Sequence, residues 1–556
     1  MKLVECVPNF SEGKDKKILD AIANEIKSVA GVKLLDIDPG AATNRTVFTM
    51  AGPPDEVVEA AFLAIKKAAE LIDMSKHKGA HPRFGATDVC PFVPISGMTM
   101  EDCVKLAKRL GKRVGEELKI PVYLYDQAAQ TPQRASLADV RSGEYEGLPE
   151  KLKQPEWKPD FGPAQFNPKT GVTAIGARQF LIAYNVNLNT TSTKLAKHIA
   201  LSIREKGRVK RDKDGNKVVD ENGDAVYTPG LFKHCRATGW LIPEYNCAQI
   251  TINLTDFAVS SMHEVFDACC ELAQKEGVRV TGSEIVGLVP KKAMIDAGLH
   301  YLKKQKQSRG VTEDHLIQTA IRSLGLNDVS TFDPERKIVE NNFKQPTPLA
   351  SMSLKAFAEE LSSNSPAPGG GSVAALAGGL SAALSSMVAI LTYDKKGYTE
   401  LNPEMDEIGQ KAQINLREQI AAIDTDTQAF NKVMDCFSLP KKTEAEKKSR
   451  TQAIEEATKQ ATLIPFSVLE KSITALKCAQ TLAEKGSANS ASDAGVAGLM
   501  GYSAAMGAYY NVLINLSGIS DKKWTAKIEK DADNLAKKAK ELATTIEKTM
   551  IAKLKP

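Results

Sequence analysis

The sequence predicts a multidomain protein, with two α/β units in tandem followed by an all-α helical bundle. Three observations carry this expectation. A length of 556 residues exceeds what one hydrophobic core serves. A β-α-β-β-α-β order of apolar patterns occurs once near the start of the chain and again after residue 179. Beyond residue 350 β-prone runs become few and long helical patterns take over.

In the first unit, residues 2–8 predict a strand, 15–28 a helix, and 32–37 and 46–51 two strands. Residues 54–72 predict a helix that starts on proline, 89–95 a strand, 100–118 a helix and 122–125 a strand. Residues 126–160 are rich in turn formers and are expected to wrap the surface. The second unit predicts strands at 180–188, 235–242, 248–254 and 278–286, with helices at 193–205, 259–275 and 290–305. This is the order of a ferredoxin-like split βαβ unit, so two ferredoxin-like subdomains are expected, 1–179 and 180–340, with a cleft between them. Residues 206–229 interrupt the second with Asp-Gly-Asn and Glu-Asn-Gly turn signals, which predict a projecting hairpin. Asp212-Lys213-Asp214-Gly215 lacks the ligand series and terminal Glu of a calcium loop, so no metal is assigned.

Residues 341–350 read as a linker and 351–556 as the bundle. Residues 373–391 carry no charge and are long enough for a membrane span. They are mostly Ala, Gly and Ser, and a second such stretch at 494–516 contains Asn511 and Asn515, so close helix packing in a bundle or dimer core is the preferred reading and no membrane is expected.

A net charge of +5 is small for this length and argues against bulk nucleic-acid binding. Nine cysteines without a CxxC pair, two of them the adjacent Cys269 and Cys270, favour buried thiols in a reducing, cytoplasmic setting. The N-terminus MKLVECVPNF has no long apolar core, so no signal peptide is expected.

The stretch 76–88 stands out chemically. It is basic, broken by Gly79, Pro82 and Gly85, and holds His77 and His81, two of seven histidines. Imidazole titrates near neutral pH, so such a loop suits proton transfer beside an anionic ligand; a solvated basic turn is the plainer alternative.

VECVPNFSEG, DIDPGAATNRTVFTMAG, HKGAHPRFGATDVCPFVP and GPAQFNPKTGVTAIGARQFLIAYNVNLN resemble the formiminotransferase part of the bifunctional formimidoyltransferase-cyclodeaminase family. GSEIVGLVP is similar to its second subdomain, and SPAPGGGSVAALAGGLSAALSSMV, DTDTQAF and YYNVLINL resemble its cyclodeaminase part. Residues 206–229 depart from the pattern as an insertion. The resemblance implies two folate reactions of histidine degradation. The first moves a formimino group from N-formimino-L-glutamate to tetrahydrofolate and releases glutamate. The second closes 5-formimino-tetrahydrofolate to 5,10-methenyltetrahydrofolate and releases ammonia. Tetrahydrofolate, with or without a polyglutamate tail, is then a co-substrate, no metal or nucleotide is implied, and a homo-oligomer built from dimers is expected. Formyl transfer from N-formylglutamate and a non-catalytic folate-binding protein are the competing readings.

His81 matches the family's catalytic histidine, which serves as base and then acid, while Pro82 fixes its backbone. Asp38, at a strand end before Pro39-Gly40, is expected to hold an imidazolium or the cationic formimino group; it also suits a plain turn. Arg45 and Arg83 are candidates for glutamyl carboxylates, or ordinary surface charges. Gly162, Pro163, Ala164, Gln165, Phe166, Asn167, Pro168, Lys169, Thr170 and Gly171 match the family's folate segment, with Phe166 offering a ring face. In the bundle, Ile408, Ala412, Leu416, Ile420, Ile423, Thr427, Phe430 and Met434 mark one helix face. Asp426 lies on its edge and is the expected proton carrier, while Asp424 is expected further round. The loop 365–372 leads into a helix N-terminus, an end that attracts anions.

Overall fold

The computed structural model describes residues 2–41, 43–79, 82–343 and 347–555. The chain divides into two compact units, one of Met1–Ala297 with Ala320–Lys344, the other of Gly298–Thr319 with Gln345–Pro556.

The first unit opens with β1 (Leu3–Cys6), β2 (Asn9–Phe10), α1 (Lys16–Ser28), β3 (Lys33–Gly40), β4 (Arg45–Gly52), α2 (Pro54–Leu71), β5 (Thr87–Ser96), α3 (Met100–Glu117) and β6 (Val122–Asp126). Local chemistry sets the helix starts. Asp15 accepts from Lys17 N, Thr99 and Asp102 form a capping box, and Pro54 occupies the first turn of α2. Two short helices follow, α4 (Leu137–Val140) and α5 (Glu144–Lys151), then β7 (Thr173–Ala177). β1 and β2 both pair with β4 on one side and β5 on the other; β3 flanks β4 at the edge; β7 runs parallel between β5 and β6.

Alternate residues of the same strands feed two cores. Val122, Leu124, Cys90 and Phe92 pack with α1, α2 and α3, whereas Tyr123, Tyr125 and Val89 pack with Val140, Leu148, Leu152 and Trp157. The stretch 126–160 therefore builds a second apolar layer on the sheet, rather than only wrapping the surface. β7 is absent from the pattern reading, because TAIGA is buried on both faces and shows no alternation.

The first unit continues with β8 (Ile182–Leu188), α6 (Thr193–Ile203), β9 (Arg208–Val209), β10 (Tyr227–Thr228), β11 (Cys235–Ile242), β12 (Cys247–Leu254), α7 (Met262–Lys275) and β13 (Val280–Val286). β11, β12, β8 and β13 lie in that order, antiparallel throughout. The expected hairpin at 206–229 is present: β9 pairs with β10, and isolated bridges join Arg211 to Lys217 and Val219 to Ala225. Asp212 and Asp220 each accept two backbone N–H groups of their own turn.

The sequence continues through α8 (Lys291–Lys304), α9 (Glu313–Leu324) and α10 (Pro334–Lys337). Residues 298–319 group with the bundle: Arg309 forms a two-pronged pair with Asp406, and Ser386 donates to the carbonyl of Gly310 at 2.9 Å. The bundle proper comprises α11 (Leu354–Leu361), α12 (Gly370–Thr392), α13 (Asn402–Phe437), α14 (Glu444–Lys485), α15 (Ala491–Leu516) and α16 (Lys522–Leu554). α12 has the length and apolarity to cross a membrane. Here its small residues admit neighbours: Gly378 faces Gln419, Gly379 faces Ile420, and Ala374 faces Gly507 of α15.

Candidate active sites

In the first unit the turn between β3 and β4, the start of β5 and the segment 82–86 converge. Asn44 is the hub. Its side chain accepts from Gly13 N at 3.0 Å and donates to the carbonyl of Lys78 at 3.0 Å, and its own carbonyl lies 2.7 Å from Nε2 of His77. Its φ of 49° is left-handed, a conformation Asn tolerates better than most residues. His77 thereby orders the loop from within, and His81 lies outside the described residues.

Asp38 is exposed and sits within β3, opposite Val47, rather than at a strand end. β3 runs on through Pro39 and Gly40, which an edge strand permits because Pro39 needs no ladder donor there. Arg45 is mostly buried, donates to Oδ1 of Asn9, and lies 3.9 Å from Asp88. Asp88 is fully buried and is the extra residue of a bulge, since Asn9 opposes Val89 while Phe10 opposes Thr87. It also accepts from Arg141 at 2.5 Å.

Arg83 is not open to a ligand in this arrangement. Its guanidinium holds Glu146 through two bonds of 2.8 and 3.0 Å and Glu144 at 3.2 Å, and its Nε faces Nδ1 of His77 at 3.4 Å. Those carboxylates hold its pKa above the ordinary value. The expectation that Arg83 binds a substrate carboxylate meets a side chain already paired inside the protein.

The segment 162–171 is tied directly to this region. Ala86 N donates to Thr170 O at 2.8 Å, Val172 N to Phe84 O at 3.0 Å, and Met74 N to Lys169 O at 2.9 Å. Gly171 adopts a φ of 62°, and a Cβ there would lie 2.2 Å from Phe84 O, so no larger residue allows this approach. Asn167 caps the loop from within by accepting from Lys169 N and Thr170 N. Phe166 packs on Tyr145 with ring centroids 5.4 Å apart. The second sheet carries its own recess of about 340 Å³, lined among others by Asn185, Trp240, Tyr245 and Glu284.

In the second unit the N-terminus of α12 faces α13. A Cβ on Gly371 would lie 2.3 Å from Oδ1 of Asp426. Ser372 donates to Ile423 O at 2.8 Å, and its Oγ lies 3.2 Å from Thr427 Oγ1 and 3.5 Å from Asp426 Oδ2. Burial raises the Asp426 pKa, opposed in part by hydrogen bonds from Ser372. Asn511 of α15 comes to this end too, its Nδ2 3.4 Å from where a Gly370 Cβ would stand.

Asp424 corrects the helical-face reading. It is the more buried of the two, at 4% exposure, and accepts from Leu349 N at 2.9 Å and Ala350 N at 3.1 Å. The buried face of α13 is mixed, with Asp406, Gln413, Asn415 and Gln419 alongside Ile408, Ala412 and Ile423, whereas Phe430 and Met434 are exposed. An apolar-only face therefore misplaced Asp424.

Comparison with known proteins identifies the family of the chain. Models of the formiminotransferase domain, N-terminal subdomain, the formiminotransferase domain, and formiminotransferase-cyclodeaminase match residues 3–178, 183–344 and 353–534. The mouse formimidoyltransferase-cyclodeaminase is 42% identical over 98% of each chain. The chain belongs to the formimidoyltransferase-cyclodeaminase family. Two shorter relatives match separate halves. A glutamate formimidoyltransferase of Streptococcus pyogenes serotype M1 is 42% identical over 57% of this chain and 99% of its own. A methenyltetrahydrofolate cyclohydrolase of Methylorubrum extorquens is 36% identical over 36% of this chain and 97% of its own. In this formimidoyltransferase-cyclodeaminase family member the structure gathers Arg45, Asp88 and the 162–171 segment at one end of a sheet, and Asp426 at a helix end. Asn9, Asn44, Asp88 and Asn511 lie inside the quoted motifs but were not singled out individually as site residues, and Arg141 lies outside all of them, because the contacts that bring these residues together join distant parts of the chain.

Proposed function

We propose that the chain catalyses two consecutive folate reactions, one in each half. It transfers the formimino group of N-formimino-L-glutamate to tetrahydrofolate, then cyclodeaminates the product to 5,10-methenyltetrahydrofolate and ammonia. The observation that carries the reading is that motif residues of each half meet at one place: 162–171 bonded to 84–86 in the first, Asp426 against Gly371 and Ser372 in the second.

In the transfer, His81 takes the proton from the attacking folate nitrogen and returns it to the departing glutamate nitrogen. Asp38 faces the cationic formimino group, Arg45 supplies positive charge for a glutamyl carboxylate, and Phe166 lies along the segment that takes the folate. In the cyclisation, Asp426 takes the proton from the second folate nitrogen as it attacks the formimino carbon, and delivers it to the nitrogen that leaves as ammonia. Burial raises the Asp426 pKa, which makes the carboxylate a better proton acceptor than an exposed one.

We read the first unit as two ferredoxin-like subdomains meeting near residue 180, supported by the order β13-β8-β12-β11 and by β1 lying between β4 and β5. The folded chain is read as a dimer-based homo-oligomer, supported by apolar stripes left open on α12 (Val373, Leu380, Met387, Leu391) and α15 (Leu499, Tyr510, Ile514). A cytoplasmic setting is supported by Cys6 and Cys90, whose sulfurs lie 3.4 Å apart and unlinked.

The test is direct. Tetrahydrofolate is mixed with N-formimino-L-glutamate or with N-formylglutamate, and methenyl-folate absorbance is followed beside ammonia release. Methenyl-folate and ammonia from the formimino donor support the reading. Product from the formyl donor alone replaces it with formyl transfer, and tight folate binding without turnover replaces it with a binding protein.

A further inference from the structure

Arg141 belongs to no motif quoted above, yet the fold invests heavily in its placement. It caps the single turn of α4, its N–H donating to the carbonyls of Asp139 and Leu137. The ammonium of Lys151 ties down the same turn from the side. It donates to Asp139 O at 3.2 Å, Val140 O at 2.7 Å, Ser142 O at 3.0 Å and Ser142 Oγ at 3.1 Å. Lys151 is itself 6% exposed and lies over the ring of Trp157, 3.8 Å from its centroid. The backbone on both sides of Arg141 is thus clamped by one buried cation.

The clamped turn presents Arg141 to Asp88. Among the described residues that is its one ion pair, and its buried Nε has no partner. A guanidinium has five N–H donors. Arg45 approaches the same Asp88, and no other carboxylate pairs with either arginine among the described residues. Two positive charges therefore share one negative charge in a place where each arginine is only 15% exposed. Burial pushes the Arg45 pKa down, Asp88 opposes this, and the neighbouring Arg141 adds to the fall. Arg83 shows the opposite arrangement, saturated by Glu144 and Glu146. A buried surplus cation is costly unless an anion completes it, and a planar carboxylate fits a guanidinium with open donors.

We propose that Arg141, aimed by Lys151 and paired with Arg45 across Asp88, binds a glutamyl carboxylate of the transferase substrates. This rests on the transferase reading, in which donor and folate both carry such a group. Arg141 is then a binding residue that selects for the glutamyl anion, and Lys151 a positioning residue acting through it.

The test uses the full-length chain with Arg141→Gln, Arg141→Lys and Lys151→Met. KM and kcat are measured for N-formimino-L-glutamate, for tetrahydrofolate and for tetrahydropteroate, which lacks the glutamyl group. L-Glutamate binding is followed by saturation-transfer NMR. Loss of a charged hydrogen bond predicts a KM at least roughly tenfold higher for Arg141→Gln, with kcat changed less, a smaller rise for Arg141→Lys, and a rise in the same KM for Lys151→Met. If the carboxylate is the donor's, glutamate binding falls and both folate KM values hold. If it is the folate's, the advantage of tetrahydrofolate over tetrahydropteroate disappears and glutamate binding holds. Unchanged KM values and glutamate binding in a folded Arg141→Gln, or a fall in kcat alone, overturn the proposal. If Arg141→Gln does not fold, Arg141→Lys, which keeps the pair with Asp88, decides by the same readouts. Glutamate binding is measurable without turnover, so a wild-type chain that binds glutamate through Arg141 but transfers nothing would reject the transferase reading and leave this one standing.

Discussion

The carboxylate of Asp426 rests against the backbone of Gly371, so close that a Cβ on Gly371 would lie 2.3 Å from one oxygen and 2.4 Å from the other. That relationship joins the second residue of α12 to the middle of α13, far apart in the chain. It also orients the carboxylate toward the N–H end of a helix, where partial positive charge favours its ionised form against burial.

Gly371→Ala is expected to push Asp426 aside and to stop cyclisation with transfer retained. Quenched-flow detection of 5-formimino-tetrahydrofolate beside methenyl-folate absorbance checks this. Normal cyclisation in the variant would show that the carboxylate need not hold this position.

Asp426→Asn and Asp424→Asn should differ in kind. A carboxyl raised above its ordinary pKa gives the fold a stability that declines as pH climbs from the unfolded pKa, near 3.9, through the higher folded one. Above the folded pKa the charged, buried Asp426 therefore costs stability, and Asp426→Asn should raise Tm there while cyclisation stops and 5-formimino-tetrahydrofolate accumulates. Asp424→Asn should lose about 1–3 kcal/mol of stability, because Leu349 and Ala350 share that carboxylate. Calorimetry with the two assays separates them; loss of cyclisation in Asp424→Asn alone, at unchanged stability, reverses the assignment.

His81→Ala should lower transfer roughly a hundredfold or more, as for loss of a general acid–base group. Cyclisation of supplied 5-formimino-tetrahydrofolate should persist. Transfer within threefold of wild type would remove His81 from the chemistry.

Glu5 offers a pH prediction. It is 3% exposed, and burial raises its pKa to about 7 against the opposing charge of Arg178, with Glu340 adding to the rise. The folded pKa exceeds the unfolded value, so stability present at low pH is lost as pH rises from about 4.5 to about 7. Glu5→Gln should flatten the Tm profile across that window and raise Tm at pH 8. An unchanged profile would place the titration elsewhere.

Sequence alone determined the local things. Apolar periodicity, with a starting proline for α2, placed α1, α2, α3 and α6, because both signals lie within a few turns of the chain. The change of class near residue 350 and the hairpin at 206–229 were likewise legible from pattern and turn residues. Tertiary structure decided what spans the chain. β7 became a strand only because β5 and β6 flank it, and residues 298–319 joined the bundle through the pair of Arg309 with Asp406. Asp424 was buried because backbone N–H groups more than seventy positions away required an acceptor. Arg83 was closed off by Glu144 and Glu146, while Arg141 was set beside Arg45. A side chain's charge is written in the sequence, but its surplus or neutralisation depends on which distant partners the fold brings within hydrogen-bond reach, and screening and burial make that decision over a few ångströms.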